Sequence, residues 1–434
     1  MRIWNKLQNW LIAALLVSIL LLTYQIWSYT MGTEGTELLR RAFGMEEETV
    51  RFTGYEERSW ALRVLTPLSC AVRASEGSAL YGTTDRDTAS ACLERIGPQL
   101  AEALETAGTP EEVREKEWRA ALADTMFFLD FGGQVPLPTL AQLLGAQAPD
   151  ALAQEARYLV LRVDGERESA RVLLYCMDKD RTVRRCRTSA DAAYLMQLAS
   201  EWTPNGCRFA HEEKPVDTAE ALLLMPADAL QALELSNALS TAAEADFDRI
   251  MEGVLESLGF NAYRPSVYSE SDGTRVYVEE ERTLRVSTDG RLTYEDPAAE
   301  ENEAGKPNGA EETARIAEAA RLASEILAPY LGDAGLFLLD TAYSARTGLF
   351  TLRFGVECGS VRILTERGYA ASLSFRGTTL CAAELEMRTY RRTGENIAVI
   401  PTTQALAAST RMEGFGLYYR VEGGSVKAGW YVGE

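Results

Sequence analysis

Residues 10–27 read WLIAALLVSILLLTYQIW, an uncharged apolar run that decides the architecture of the chain. At ~1.5 Å per helical residue the run reaches about 27 Å, close to the ~30 Å hydrocarbon core of a bilayer. Aromatic residues stand at both ends, as is typical of a membrane interface. Arg2 and Lys6 precede the run, and the first acidic residue is Glu34. The positive-inside rule therefore predicts a single-pass cell-membrane protein with its N-terminus in the cytoplasm and most of the chain outside.

A cleaved secretory signal is the alternative interpretation of this run. Signal peptides have a shorter apolar region and end in small residues. Here the run ends in bulky residues, Thr23-Tyr24-Gln25-Ile26-Trp27. This ending favours a retained anchor.

The totals limit the function classes. The chain has 434 residues and a net charge of −20, which argues against nucleic acid as a partner. Its seven cysteines are odd in number, and none has the C-x-x-C spacing of zinc or redox sites. We expect mostly free, buried thiols.

The rest of the chain alternates helical and strand patterns, which predicts an α+β fold. We expect an extracytoplasmic multi-domain region of antiparallel sheets with helices packed on one face. An acidic stretch without large apolar residues is the best candidate for a linker. The predicted segments are the anchor (1–30), an N-terminal domain (38–210), a middle domain (211–296), the linker (297–310) and a C-terminal domain (311–434).

Local patterns give finer expectations. Residues 60–72 read as one long strand or two short strands, with Pro67 at an edge or bulge. Residues 84–107 read as a helix capped by Thr84 or Asp85. Helices are predicted at 243–258 and 311–331, and each precedes a run of antiparallel strands. This shared order predicts a weak internal repeat. In the second run, the last predicted strand is 384–390.

The sequence contains no recognisable catalytic motif. The tripeptide Asp130-Phe131-Gly132 matches a kinase motif, but the Gly-rich loop and the catalytic loop of kinases are absent. The single histidine, His211, lies in a polar stretch and is expected to be solvated. We predict no catalytic residue, no metal site and no cofactor. A carboxylate pair for glycan hydrolysis stays open, because none of the 64 acidic residues is singled out.

Several stretches resemble the YycH family, membrane-anchored regulators of the WalK/YycG-type sensor histidine kinase. They are LLLTYQIW (20–27), FGGQVPL (131–137), LRVSTDGRLTY (284–294), LYYR (417–420) and GWYV (429–432). The C-terminal part also resembles the smaller YycI proteins. The resemblance implies a non-catalytic regulator of cell-wall metabolism that acts through its transmembrane helix and exterior domains, with the kinase and a YycI-like membrane protein as partners. Whether it activates or inhibits stays open.

One stripe of the anchor helix is the predicted partner-binding face. At ~100° per residue, Ala14, Ser18, Leu21 and Gln25 fall within about 60° of one another. Ala14 and Ser18 permit close approach of a second helix, and Gln25 offers an amide to it. The alternative is that Gln25 only reaches the headgroups. The rival function is an envelope-tethered enzyme or enzyme inhibitor that acts on peptidoglycan or a protease.

Overall fold

The computed structural model describes residues 55–165, 169–212, 221–225, 230–240, 244–261, 265–297, 305–408 and 415–432. Residues Trp60–Glu434 form a compact unit. The predicted anchor, with Ala14, Ser18, Leu21 and Gln25, lies outside the described residues. Within them, no helix is long and apolar enough to cross a membrane.

Helices and short strands alternate through the first half of the chain. The helices of the described residues are α1 (Tyr55–Val64), α2 (Arg86–Glu105), α3 (Glu115–Ala123), α4 (Leu137–Leu143), α5 (Ala192–Ser200), α6 (Glu244–Ser257), α7 (Gly309–Leu327) and α8 (Thr402–Ala408). Helix α2 follows the predicted pattern: Asp85 is its N-cap and accepts a hydrogen bond from the Thr88 backbone N–H, and its apolar stripe is buried.

A seven-stranded antiparallel sheet organises the N-terminal part. Its strands are β1 (Ser69–Arg73), β2 (Leu80–Thr83), β3 (Glu111–Val113), β4 (Met126–Pro136), β5 (Glu155–Asp164), β6 (Arg171–Met177) and β7 (Val183–Arg187). Their spatial order is β2-β1-β4-β5-β6-β7-β3. Strands β5, β6 and β7 form an antiparallel meander, and the long strand β4 pairs with β5 on its other side.

Helices cover both faces of this sheet, whereas the sequence predicted one. On one face, Phe128 of β4 packs in a cluster with Trp118 of α3. On the other, the Cys70 thiol of β1 lies within hydrogen-bonding reach of Cys92 of α2. Because successive strand residues point to opposite faces, the near-continuous apolar sequence of β4 fits burial on both sides.

An eleven-stranded sheet joins the middle and C-terminal segments. Before it come β8 (Arg208–Phe209), β9 (Leu223–Leu224) and β10 (Leu230–Asn237). Its strands are β11 (Ser266–Ser269), β12 (Arg275–Glu279), β13 (Arg282–Val286), β14 (Arg291–Glu295), β15 (Gly335–Ser344), β16 (Leu349–Cys358), β17 (Val361–Leu364), β18 (Ala371–Arg376), β19 (Thr379–Glu386), β21 (Phe415–Glu422) and β22 (Ser425–Val432), and β20 (Arg388–Ile397) pairs with β10 outside it.

This sheet crosses the predicted linker. Strand β14 pairs with β19, so strands on both sides of residues 297–310 share backbone hydrogen bonds. The spatial order is β11-β12-β13-β14-β19-β18-β16-β17-β21-β22, with β15 on β16, and only β17 and β21 run parallel among these described pairs. The domain limits stay a prediction, but the sheet itself is continuous across them.

Two local predictions were wrong. Residues 60–64 belong to α1 rather than to a strand, because Ala61, Val64, Leu65 and Leu68 bury one helical stripe that continues into the turn at Pro67. The predicted strand 384–390 is two strands, β19 and β20, which meet at the buried Met387. Strand β10 was not predicted, because its half-buried pattern gives no clear alternation.

Two irregular strand segments meet where the sheets approach each other. Strand β4 shifts register between Asp130 and Val135, and β15 shifts between Leu338 and Asp340. A Cβ atom at Gly133 would lie 2.1 Å from the Leu338 carbonyl oxygen. Only a residue without a side chain permits this approach of the two backbones.

Candidate functional site

A cavity of about 610 Å³ lies between the β1-β4-β5 side of the seven-stranded sheet and the β17-β21-β22 side of the eleven-stranded sheet. Its volume is in the range of small-molecule sites. Five charged side chains line it: Asp85, Asp130, Arg157, Arg362 and Arg392. Among the described residues, and in a chain of net charge −20, this lining has a surplus of one positive charge.

Asp130 is fixed by the turn that follows it. Its Oδ1 accepts a hydrogen bond of 2.8 Å from the Gly132 backbone N–H, and Gly132 has φ +73°. This arrangement is an Asx-turn, which needs an Asp at its start and favours glycine where φ is positive. The tripeptide that resembled a kinase motif therefore has a structural role, consistent with its rejection on the sequence.

Arg157 of β5 holds the Asp130 carboxylate from the other side. Its Nε lies 3.0 Å from Oδ1 and its Nη2 lies 3.3 Å from Oδ2. Burial opposes the charge of Arg157, but the Asp130 carboxylate outweighs it, so the pKa of Arg157 lies well above its ordinary value. The guanidinium also sits 4.6 Å from the centre of the Tyr158 ring. Arg157 and Asp130 thus form a bidentate ion pair.

Arg362 of β17 is in a different situation. Its guanidinium carbon lies 5.6 Å from the ring centres of both Phe337 and Tyr418. Burial lowers the pKa of Arg362 below its ordinary value, and the neighbouring Arg157 cation lowers it further. No ion pair joins Arg362 to a carboxylate of the described residues.

Two other charged groups of the lining have polar partners within the described residues, whereas the buried Ser360 hydroxyl has none. The Asp85 carboxylate caps α2 and also accepts from the Thr88 hydroxyl at 2.6 Å. The Nε of Arg392 lies 3.4 Å from the Cys358 sulfur. Burial raises the pKa of the Cys358 thiol, although Arg392 opposes the rise, so this cysteine is poorly suited to act as a nucleophile near pH 7.

Aromatic side chains of the last hairpin form the outer wall. The rings of Phe415 and Trp430 stack with centres 5.5 Å apart and planes 11° apart. The indole Nε1 of Trp430 donates to the Ile400 carbonyl oxygen at 2.9 Å. The Tyr419 hydroxyl donates to the Gln231 carbonyl oxygen at 2.7 Å, which connects β21 to β10.

His211, the single histidine, is placed differently from its prediction. It is half-buried in a short 3-10 turn, and its ring stacks on Phe209 with centres 5.6 Å apart. Burial lowers its pKa to about 4, with the Arg119 and Arg73 cations adding to the effect. The side chain is therefore neutral at pH 7 and packs as an aromatic ring rather than being solvated.

All seven cysteines are free and buried, which confirms the expectation from their number and spacing. The cavity residues, by contrast, were missed. Arg157 and Arg362 belong to no local motif, and only the assembled sheets bring them to one cavity. The predicted face of the anchor, Ala14, Ser18, Leu21 and Gln25, lies outside the described residues and stays a prediction.

Comparison with known proteins bears on the fold. No protein-family model matches the sequence, and no curated protein matches it. The chain is similar in fold to YycH from Bacillus subtilis. The match has a TM-score of 0.51 and covers 88% of this chain and 96% of that one, at 8% sequence identity. The α+β architecture of antiparallel sheets is therefore YycH-like, while the resemblance of the C-terminal part to YycI proteins stays a prediction.

The contacts of the two aspartates limit the acid–base chemistry that the described cavity lining can perform. Asp130 has its oxygens bound by Arg157 and Gly132, and Asp85 is used as a cap, so neither is a ready general base. The groups of the described lining that remain available are cationic or aromatic side chains and the Ser360 hydroxyl. Such a lining suits binding rather than bond cleavage.

Proposed function

We propose that this protein is a non-catalytic, membrane-anchored accessory regulator of an envelope-sensing two-component histidine kinase of the WalK/YycG type. The observation that carries the proposal is the likeness to YycH, because it spans 88% of this chain and 96% of the other. The order of the sequence stretches that resemble the YycH family agrees with it along the whole chain. The occupied carboxylates of the cavity add support, since an enzyme would need one of them available.

In this proposal the anchor transmits the regulation. Residues 10–27 cross the membrane, and the stripe formed by Ala14, Ser18, Leu21 and Gln25 contacts a transmembrane helix of the kinase or of a YycI-like partner. The exterior unit, whose sheets are described above, adjusts that contact, and the output is transcription of genes for cell-wall metabolism. The likeness in fold supports the exterior part of this scheme, and the small residues of the stripe support the membrane part.

A triple substitution in the full-length chain tests the proposal. Such helix contacts contribute only ~0.6–2 kcal/mol each, so Ala14, Ser18 and Gln25 are replaced together by leucine. We expect weaker co-purification of the kinase from membranes and altered transcription of its target genes. The control variant, Leu16→Ile with Ile19→Leu, changes the other side of the helix and should behave as the wild type.

Two results would overturn the proposal. Unchanged transcription of the kinase's target genes after deletion of the gene would remove the regulatory role altogether. Alternatively, the triple-leucine variant could bind and signal as the wild type does. The helix would then be only a tether, and an envelope enzyme or enzyme inhibitor would become the better hypothesis.

A further inference from the structure

The cavity contains a cation that the fold itself does not neutralise. Three arginines and two aspartates line it. Asp130 is bound by Arg157, Asp85 caps α2 by accepting from Thr88, and the Arg392 Nε lies 3.4 Å from the Cys358 sulfur. Arg362, unlike Arg157 and Arg392, has no polar side-chain partner in the described part of the chain.

Glu357, the carboxylate paired with Arg362 in the strand register, is engaged elsewhere. Glu357 stands opposite Arg362 in the β16-β17 ladder. Its carboxylate, however, lies 2.9 Å from Nη1 of Arg86 and accepts a 2.6 Å hydrogen bond from the Ser360 backbone N–H. Asp130 attracts Arg362 electrostatically without forming an ion pair with it. The Asp130-Arg157-Arg362 cluster therefore has one surplus positive charge.

Arg362 is half-buried in the cavity lining, so part of its hydration is lost without a carboxylate to replace it. Removing a charged group from water costs free energy that only a well-placed partner returns. The rings of Phe337 and Tyr418 return part of it through cation–π contacts. They leave the five N–H donors of the guanidinium without an anion, and this planar fork matches a carboxylate or a phosphate.

We propose that the cavity binds a small organic anion: an apolar or aromatic body with one carboxylate or phosphate group that pairs with Arg362. The body lies against the stacked Phe415 and Trp430 side chains and Tyr158, which line the same cavity. The volume of about 610 Å³ holds such a molecule with room to spare. This inference does not rest on the proposed regulatory function, since binding can be measured without the kinase.

Equilibrium dialysis of the full-length protein, held in phosphatidylcholine nanodiscs, tests the inference with four water-soluble probes. Benzoate and phenyl phosphate carry the body and the anion, benzamide is the neutral isostere of benzoate, and inorganic phosphate lacks the body. We expect benzoate or phenyl phosphate to bind at least tenfold more tightly than benzamide and inorganic phosphate. Whichever of the two binds better distinguishes a carboxylate ligand from a phosphate ligand.

The matched variants are Arg362→Gln and Arg367→Gln. Arg362→Gln should weaken binding of the aromatic anion about ten- to hundredfold, as expected for loss of a charge-assisted hydrogen bond. Arg367 is exposed and pairs with Glu384 on β19, so its substitution should leave binding unchanged. Because Arg362 has no carboxylate partner, Arg362→Gln should also unfold at a urea concentration no lower than the wild type does.

Several outcomes would overturn the inference. Benzamide could bind as tightly as benzoate, which would make the cavity a site for apolar bodies alone. Arg362→Gln could bind both aromatic anions as the wild type does. No binding of any probe at millimolar concentration would equally refute it. Marked destabilisation by Arg362→Gln would assign Arg362 a structural cation–π role instead.

Discussion

The substitution Gly133→Ala tests the junction of the two sheets. A Cβ atom at this position would meet backbone atoms of β15: the Leu338 oxygen at 2.1 Å, the Leu339 oxygen at 2.5 Å and the Leu339 Cα at 2.6 Å. Real Cβ atoms do not approach other heavy atoms within 3.0 Å. The irregular segments of β4 and β15 would therefore have to move apart by almost 1 Å at the closest contact.

The size of the effect follows from what surrounds Gly133. Overpacking of a core costs about 1–3 kcal/mol when side chains can shift. Here the obstructing atoms are backbone atoms of a strand paired with β16, so we expect the upper end, about 3 kcal/mol or more. The displacement would also disturb the turn that fixes Asp130, and with it one wall of the cavity.

Urea unfolding followed by circular dichroism measures this cost. With a slope of ~3 kcal/mol/M, a loss of about 3 kcal/mol lowers the midpoint by about 1 M. Gly253→Ala is the matched control, because Gly253 is exposed in α6 and nothing lies within 4 Å of its added Cβ. Alanine should stabilise that helix by about 0.5–1 kcal/mol. Equal midpoints for Gly133→Ala and the wild type would refute the reasoning.

Two further predictions concern the region around the acidic stretch. Burial raises the pKa of the Glu312 carboxyl to about 7; the Lys306 cation opposes this rise and the Glu155 carboxylate reinforces it. The folded-state pKa therefore lies above the unfolded value of 4.5. The contribution of the Glu312 carboxyl to stability is present below about pH 4.5 and is lost as the pH rises through 7. In urea unfolding, the Glu312→Gln variant should be more stable than the wild type by about 1–3 kcal/mol at pH 8 and equally stable at pH 4.5. The control variant Glu311→Gln, at an exposed position, should have wild-type stability at both pH values. Equal stability of Glu312→Gln and the wild type at pH 8 would contradict the burial of the Glu312 carboxyl. Limited proteolysis should cut first between Pro297 and Ala310, and because β14 pairs with β19 the two fragments should co-elute on gel filtration until urea is added. Separation of the fragments in buffer would contradict the continuous sheet.

The sequence predicted those elements whose burial follows one period over many residues. Helix α2 buries Ala89, Cys92, Ile96 and Leu100, and its spacing is visible without any knowledge of the sheet that it covers. The hairpin β21-β22 turns at Gly423-Gly424, a pair of residues that marks a turn in the sequence itself. Such elements can be recognised from their own sequence, because the helical or strand period of the backbone determines which side chains are buried.

Prediction failed where burial depended on a distant partner. Strand β10 pairs with β20 and is half-buried along its length, so neither an alternating nor a helical pattern arises in its sequence. The start of β19 was missed for a similar reason, since its pairing with β14 lies across the acidic stretch that composition alone marks as a boundary. The composition of residues 297–310 indicates only that this segment cannot form a hydrophobic core of its own. It does not indicate whether the strands before and after the segment pair with each other.

The cavity shows how a local motif and a distant residue combine. The order Asp130-Phe131-Gly132 is enough to predict a tight turn, because the Asp side chain and the glycine each satisfy a local requirement. The charge of the Asp130 carboxylate, however, is neutralised by Arg157, which lies 27 residues later in the sequence. The pairing of β4 with β5 brings Arg157 next to Asp130. Arg362 belongs to the other sheet, and its guanidinium lies beside the Phe337 ring of β15. Strand β15 is also the strand that approaches Gly133 closely. Among the described residues, neither the turn nor the junction supplies an anion partner for Arg362. The surplus charge of the described lining therefore arises only in the assembled fold, and a ligand from outside the chain is the partner that we propose for it.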